Sequence, residues 1–276
     1  MKPRALALHQ ITMRDIAPES LAYLAARHGF AHISLFTHVP PITLTGGGKA
    51  AFPHVHAGNR TAVLQSLRDT GVAVTQCEYF PIRADTAIEA YCAGMALGAE
   101  LGARRAVTHV HESDTAQAID KLGQLADLAA EYGLALALEF MGLTPACNSL
   151  SRALWFCAQI NRPNMGVGVD ILHLVRSGGS VADLALAPSE RLFYAQICDG
   201  KGLHASADYA TEALDRLLPG TGDFPLVEFL RYLPTHIDLD VEVPLSLQRQ
   251  ATMTADARAT QLYAATIALI QQASVG

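Results

Sequence analysis

Eight short, apolar, β-rich runs recur along the chain, and segments with helical spacing lie between them. Strands that alternate with helices predict a parallel sheet whose strands are joined by right-handed crossover connections. Eight such units in roughly 250 residues is the size of a (β/α)8 barrel. The sequence therefore predicts an α/β fold of the (β/α)8 TIM barrel class, with strands over residues 5–11, 32–36, 72–80, 105–111, 134–140, 165–170, 193–198 and 237–243.

An open, doubly wound sheet is the alternative fold, because it uses the same alternation. The dinucleotide motif G-x-G-x-x-G does not follow the first predicted strand, and the GGG at 46–48 lies in a long loop rather than opening a helix. Nothing in the sequence resembles a linker, so we expect residues 1–276 to form a single domain. The regions 37–56 and 199–222 are predicted to be long loops at the active site.

Composition narrows the class of partner. The 276 residues carry a formal net charge of -6, half of them are apolar, and the Lys and Arg residues are scattered. A chain without a basic face suits a small molecule better than nucleic acid or anionic lipid. The apolar N-terminal segment is short for a signal peptide and no run reaches the about 18 residues of a spanning helix, so we expect a cytoplasmic protein without membrane contact. The five cysteines form no C-x-x-C pair and are expected to be reduced packing residues.

Polar groups close four consecutive predicted strands, where more apolar core is expected. Glu139 ends the fifth, Asp170 ends the sixth, Gln196 lies near the end of the seventh, and Glu242 lies near the end of the eighth. Active sites of these barrels lie at the carboxyl ends of the strands, so the four groups would share one side of the mouth. Converging carboxylates repel one another unless a cation lies between them. We therefore predict one divalent metal ion, Mn²⁺ or Mg²⁺ by the oxygen ligands, with Co²⁺ as a further candidate.

Other polar residues at strand ends carry weaker signals. His109 and His111 lie on one side of the fourth strand, His9 lies on the first, and Glu78 lies on the third. Each of these residues, taken alone, is typical of a hydrogen-bonded rim or core position.

Five segments together resemble one superfamily. They are ALEF with Glu139, VGVDILHLVRSGG with Asp170 and His173, FYAQICDG with Gln196 and Asp199, LLPGTGDFPL at 217–226, and VEVP with Glu242. They look like the xylose-isomerase-like TIM-barrel superfamily. Its members include sugar phosphate isomerases and epimerases, inosose isomerases and dehydratases, 3-dehydroshikimate dehydratases, and type 2 apurinic endonucleases.

The resemblance implies a ligand set. Glu139, Asp170 and Glu242 would be metal ligands, with position 196 as the fourth. Many members have His at that position, whereas this chain has Gln196, which is similar to some 3-dehydroshikimate dehydratases. The apurinic endonuclease branch has a trinuclear zinc site with many more His ligands, so the resemblance disfavours a nuclease.

A hard cation at the barrel mouth can polarise a hydroxy-ketone and stabilise an enediolate. Reprotonation then gives epimerisation or isomerisation, and loss of a β-hydroxyl gives dehydration. By resemblance to ketose epimerases, Glu139 and Glu242 would be the catalytic acid/base pair. In dehydratases of this fold a histidine would be the acid/base, and here the candidate is His173, with His109 and His111 behind it. We expect isomerisation or epimerisation of a small polyhydroxylated substrate, with dehydration of the 3-dehydroshikimate or inosose type as the alternative.

Further residues are predicted to contact the substrate. Arg176 and Arg249 could fix a carboxylate or phosphate, although surface ion pairing also explains them. Asp199, three residues after Gln196, is a third candidate. Segment 43–58, with His54 and His56, could fold over the substrate as a lid.

Two functions that do not require a metal ion remain open. Lys201 suggests a Schiff-base aldolase, although it lies in the glycine-flanked loop DGKGLH. The chain could also be a non-catalytic binding or partner subunit, in which Gln196 marks a lost activity. The resemblance leaves the oligomeric state open, because dimers and tetramers occur among relatives.

Overall fold

Eight parallel strands form a closed barrel in this computed structural model, which describes residue 4, residues 6–39 and residues 53–275. Neighbours along the chain pair with each other, and the last strand pairs with the first. Closure confirms the (β/α)8 prediction over the open sheet. Strands β1 to β8 are Leu6–His9, His32–Phe36, Ala73–Glu78, Arg105–Thr108, Ala135–Glu139, Met165–Asp170, Leu192–Ile197 and Asp238–Val241.

Helices surround the barrel, and side-chain caps fix where several of them begin. The Asp114 carboxylate accepts the amides of Ala116 and Gln117 at the start of α4, and Ser149 and Thr254 cap α5 and α10. None of the helices described here is both long and apolar enough to cross a bilayer. Helices α1 to α10 are Pro18–Arg27, Arg60–Thr70, Cys92–Glu100, Thr115–Glu131, Leu150–Ile160, Ile171–Arg176, Tyr209–Glu212, Leu226–Tyr232, Leu247–Gln250 and Ala255–Ser274.

Six of the eight strands, all but β2 and β6, end earlier than their apolar pattern predicts, and β1 and β4 are two examples. β1 stops at His9, because the His9 imidazole accepts the Ile11 amide at 3.1 Å and starts a 3₁₀ turn over Gln10–Met13. β4 stops at Thr108, after which Val110 makes only an isolated bridge to Ile82. Both departures occur at the carboxyl end of the barrel, where the chain turns into the loops that build the site.

Acidic residues alternate with apolar ones along β8, and this alternation places three acids towards the barrel interior. Asp238, at the amino end, binds Arg105 of β4 across the barrel. Asp240, one layer higher, accepts hydrogen bonds from Ser34 at 2.6 Å and Gln76 at 2.9 Å. Because a strand turns alternate side chains to opposite faces, the next acid, Glu242, follows at the mouth.

Tyr194 of β7 fills much of the middle of the barrel and packs with Val107 and Ala137. A Cβ built on Gly168 of the neighbouring β6 would lie only 2.4 Å from the Tyr194 ring. Glycine at 168 is therefore needed for the ring to lie where it does.

We predict that Gly168→Ala lowers the free energy of unfolding by about 1–3 kcal/mol, because the added methyl group overpacks against Tyr194. Gly123→Ala is the matched control: it lies in α4 with no atom within 4 Å of its would-be Cβ. That control should gain about 0.5–1 kcal/mol from helix propensity. Urea denaturation of both variants measures the difference, and equal stabilities would contradict the role given to Gly168.

Candidate active site

A cavity of about 440 Å³ opens at the carboxyl ends of the strands. Its wall is contributed by residues at the ends of β1 to β5, β7 and β8 and by the loops that follow them. The residues that line it are His9, Ile11, Phe36, Glu78, Tyr79, Arg83, His109, His111, Glu139, Met141, Leu143, His173, Gln196, Ala210, Ala213, Leu214, Arg216 and Glu242.

The four predicted metal ligands meet on one side of this mouth, and all four are buried. Glu139, Gln196 and Glu242 line the cavity, whereas Asp170 lies just behind it and is fully buried. Oxygen atoms of Glu139 and Asp170 and a nitrogen of His173 lie within 4.8 Å of one another. The strand ends therefore bring together the groups that the sequence singled out.

Arg216 joins two of these carboxylates. Its Nη1 donates to Asp170 Oδ2 at 2.7 Å, and its Nη2 donates to Glu242 Oε1 at 3.0 Å. The side chain is only 2% exposed. A buried guanidinium supplies one positive charge, which leaves the three carboxylates Glu139, Asp170 and Glu242 with excess negative charge when all are ionised.

The surroundings shift the pKa values of the two glutamates in opposite directions. Burial raises the pKa of Glu242 to about 8, with Asp170 and Glu139 adding to the rise and Arg216 and His9 opposing it. Burial acts in the same direction on Glu139. There the hydrogen-bonding and charge of His109, the charge of His173 and the Tyr194 hydroxyl outweigh it and lower the pKa to about 2. Glu139 is therefore ionised, whereas the positive charges near Glu242 do not offset the burial of its carboxylate.

Two tyrosines hold the groups around Glu139. The Tyr194 hydroxyl donates to Glu139 Oε2 at 2.7 Å. The Tyr209 hydroxyl accepts the Gly142 amide and lies 2.6 Å from His173 Nδ1, so its own hydrogen can be donated to that nitrogen. This arrangement favours hydrogen on Nε2 of His173, which lies 3.4 Å from Glu139 and 3.6 Å from Asp170. His173 is therefore set to donate towards the carboxylates.

The residues present fit a divalent cation. Gln196 Oε1 is buried and has no hydrogen-bond partner among the residues that the structure describes, although a buried amide oxygen is normally paired. It lies beside carboxylates whose charge Arg216 only partly offsets. An oxygen-rich set of this kind is what Mg²⁺ and Mn²⁺ prefer.

A second polar group lies on the other side of the mouth. His9 Nε2 donates to Glu78 Oε1 at 2.9 Å, and Gln76 donates to the same oxygen at 3.1 Å. The Ile11 amide needs an unprotonated Nδ1, so the geometry is that of the neutral ring with hydrogen on Nε2.

The rest of the wall carries hydrogen-bonding groups of the β3 and β4 loops. His109 and His111 both line the cavity, as predicted from the sequence, together with Tyr79 and Arg83. Burial, with His109 and Arg83 adding to it, lowers the pKa of His111 to about 4. A neutral His111 offers Nε2, which has no partner among the described residues, to a bound molecule.

Three predicted substrate contacts are not brought to this cavity. Arg176 is bound by Glu212 at 2.5 Å and by the carbonyls of the 201–204 loop. Asp199 accepts four backbone amides of the loops at 200 and 220–224 and so orders them. Arg249 pairs with Asp215 at 2.6 Å. Each has its charge satisfied by the protein, so these three residues organise loops.

The alternative site at Lys201 is also outside the cavity. Its side chain is 66% exposed and contacts the Thr221 carbonyl and Asp223. Residues 43–52 of the predicted lid lie outside the described residues. His54 and His56 line a different cavity, beside α2 and α3.

Sequence reasoning missed Arg216 and both tyrosines. Nothing in the local pattern marks Arg216, which follows α7 in a predicted loop, although buried acids require a cation nearby. Tyr194 carries a signal that could have found it: it lies two residues before Gln196 on the same strand and so faces the same side.

Two curated relatives are each similar to less than half of the chain. An inosose isomerase of Bacillus licheniformis is 32% identical over 120 residues, which are 42% of this chain and 41% of that protein. A 3-dehydroshikimate dehydratase of Pseudomonas aeruginosa is 29% identical over 116 residues, which cover 40% of this chain and 17% of that protein. The matched segments thus span well under half of either relative.

The fold has counterparts among solved structures. The crystal structure of the IolI protein with a bound zinc atom superposes with a TM-score of 0.78 over 97% of this chain and 98% of that one, at 19% identity. Likeness at this identity concerns the fold. The sequence profile of the xylose isomerase-like TIM barrel family matches residues 22–256, and the chain therefore belongs to that family.

Proposed function

We propose that the protein is a divalent-metal-dependent isomerase or epimerase that acts on a small polyhydroxylated ketone through an enediolate. The observation that carries the proposal is the Gln196 oxygen, which has no partner among the described residues and lies with Glu139 and Glu242 on the wall of a cavity and next to buried Asp170 on the neighbouring strand. The similarity to an inosose isomerase supports the reaction class.

Glu139, Asp170, Gln196 and Glu242 would hold the metal ion. A bound divalent cation would supply Lewis acidity that polarises the substrate carbonyl. The IolI structure contains zinc, but the all-oxygen donor set here favours Mn²⁺ or Mg²⁺ over zinc.

The chain's own groups would move the proton. Glu139 is ionised and is positioned by Tyr194, so its carboxylate can accept the proton of the C–H bond next to the carbonyl. Glu242, whose pKa is raised, is the second acid/base by family resemblance. His173 would donate a hydrogen bond and keep the carboxylates oriented, held in turn by Tyr209.

The polar wall would select the substrate. Tyr79, Arg83, His109 and His111 present further hydrogen-bonding groups on the wall of the same cavity. Hydroxyl groups of a polyol can pair with these groups, and an apolar molecule of the same size would leave them unpaired at a cost. A small polyhydroxylated compound is therefore the proposed partner.

Dehydration of the 3-dehydroshikimate type is the second candidate. It is favoured by Gln196 at the fourth ligand position and by the similarity to the dehydratase of Pseudomonas aeruginosa. It would use the same enediolate and differ in the loss of a hydroxyl group. The orientation of His173 gives dehydration less support. Its Nε2 faces Glu139 and Asp170 and carries a hydrogen, whereas a base needs an unprotonated nitrogen.

Metal content is the first test. We expect about one Mn²⁺ or Mg²⁺ per chain after loading, with loss of binding in Glu242→Gln and Gln196→Ala. Glu190→Gln, an exposed acid at the opposite end of the barrel, is the control and should bind as the parent does. Elemental analysis after gel filtration measures this. A parent that takes up no divalent ion would favour a non-catalytic binding subunit.

The metal-free protein should lose stability as the pH rises. The pKa of Glu242 is about 8 in the fold and near 4.5 when unfolded, so the folded state binds the extra proton between these values. We expect the free energy of unfolding to fall by on the order of 3 kcal/mol from pH 5 to pH 9. In Glu242→Gln the free energy of unfolding should fall less with pH. The smaller fall that remains is due to Asp240, because burial raises the pKa of Asp240 to about 7. A slope that this variant leaves unchanged would contradict the assignment.

The reaction class is tested with an inosose, a ketopentose and 3-dehydroshikimate. The metal-loaded protein in deuterium oxide should convert at least one ketone and incorporate deuterium next to the carbonyl, read by NMR. Glu139→Gln should slow conversion and deuterium incorporation by roughly 100-fold or more, because a positioned acid or base typically accelerates a reaction by at least that factor. Formation of an unsaturated product from 3-dehydroshikimate alone would favour the dehydratase.

A further inference from the structure

A second cavity opens at the amino end of the barrel, opposite the mouth. Its volume is about 360 Å³. Sites for small molecules have volumes of roughly 300–1,000 Å³, so this cavity is large enough for one. Arg105, Ala135 and Leu192, the first residues of β4, β5 and β7, lie in its wall. Barrels of this class carry their chemistry at the other end, and the cavity shares no lining residue with the candidate active site.

Two consecutive arginines contribute the cationic part of the wall. Arg104 and Arg105 both line the cavity, and both donate through Nη2 to the same oxygen of Asp238, Oδ2, from Arg104 at 2.8 Å. Two guanidinium groups therefore share one carboxylate. One positive charge is left without a counter-charge in this cluster.

The inner guanidinium has a nitrogen that the protein does not use. Arg105 is only 9% exposed, and its Cζ lies 6.0 Å from the centroid of the Tyr194 ring in the middle of the barrel. Its Nη1 is buried and has no hydrogen-bond partner among the residues that the structure describes. Leaving a charged donor buried and unpaired costs more than leaving a neutral one, and the pair with Asp238 accounts for Nη2 alone.

Other titratable groups near this cluster do not supply the missing acceptor. Glu190 and His236 line the cavity, but both are exposed, and Glu190 forms no ion pair with either arginine in the described part of the chain. Burial lowers the pKa of His32 on β2, with Asp238 opposing the shift and the two arginines adding to it. His32 is therefore neutral, and its Nδ1 is likewise buried without a partner.

The shape of the cavity matches an anion that carries an apolar group. The Arg104 side chain is 51% exposed, so the cationic wall extends from solvent to the buried Arg105. Leu192, Phe193 and Ile237 form an apolar part of the same wall. Arginine pairs most strongly with the oxygens of phosphates and carboxylates, which accept two of its N–H groups at once.

We propose that this cavity binds the phosphate or carboxylate group of a small organic anion. Arg104 and the Nη1 of Arg105 donate to the oxyanion, and Asp238 holds the two guanidinium groups in position. Phe193 contacts the apolar part of the bound molecule. The site is independent of the proposed function, because no residue of the mouth takes part in it.

Calorimetric titration of the full chain, as purified, with phenyl phosphate tests the site. We expect saturable binding that is tighter than that of inorganic phosphate, because the phenyl ring buries apolar surface against Leu192, Phe193 and Ile237. Benzoate is the third probe. Benzoate that binds as tightly as phenyl phosphate would assign the site to oxyanions in general, and weaker binding of benzoate would assign it to phosphate groups.

Three substitutions locate the binding. Arg104→Gln leaves the buried pair of Arg105 and Asp238 in place and should weaken phenyl phosphate binding by about tenfold or more, since a charge-assisted hydrogen bond is lost. Arg105→Lys keeps a charge for Asp238 but lacks a second nitrogen, and should weaken binding to a similar extent. Glu190→Gln removes an acid from the wall and should tighten binding by about twofold to fivefold. Damage to the fold does not produce such a gain.

Arg68→Gln is the matched control. Arg68 is an exposed arginine of α2 that donates to Gln65 on the same helix, so its loss should leave the affinity for phenyl phosphate unchanged. Two results would overturn the inference. One is the absence of saturable binding with all three probes. The other is binding that is the same in the parent, Arg104→Gln and Arg105→Lys, which would place the anion elsewhere, for example at the mouth. Neither result bears on metal binding or deuterium exchange, so the proposed function would stand.

Discussion

The burial of acids inside the barrel is the constraint on which the rest of this structure depends. Ionised carboxylates in a protein interior are stable only when paired or bound to a cation. The barrel meets this need in layers: Arg105 neutralises Asp238 at the amino end, Ser34 and Gln76 hydrogen-bond Asp240 in the middle, and the mouth has Arg216. At the mouth the acids outnumber their partners, and there the cavity opens.

Arg216 decides how the mouth is organised. By holding both Asp170 and Glu242 it fixes two strand ends relative to each other, and it ties them to the loop after α7. It neutralises one charge of three, so a divalent cation among the ligands would complete the balance. Tyr209, which orients His173, is the first residue of α7, so α7 and the loop after it both contribute to the site.

The middle layer of the barrel supports the mouth from below. Tyr194 occupies space that Gly168 leaves open, and from there its hydroxyl reaches Glu139. A carboxylate that is held by a buried hydroxyl keeps one orientation, which suits both metal binding and proton transfer. Packing inside the barrel and chemistry at its mouth are therefore linked through one side chain.

The sequence by itself determined the architecture and which strand ends carry the candidate metal ligands. Strand and helix periods are local, and the rule that sites lie at the carboxyl ends of barrel strands turned Glu139, Asp170, Gln196 and Glu242 into a cluster, with His173, His109 and His111 close by. Loop-organising arginines could not be separated from site arginines in this way, because the acids that bind Arg176 and Arg249 lie in the four-residue helix α7 and just after it.

Only the tertiary structure decided which groups touch. His9 meets Glu78 over 69 residues of chain, Tyr194 meets Glu139 over 55, and Arg216 meets Asp170 over 46. These pairs join strands or loops that are not neighbours in the sheet, so they depend on closure of the barrel and on the size of the side chains between them. Local sequence patterns carry no information on contacts over such distances. The partners of the buried acids could therefore be identified only from the tertiary structure.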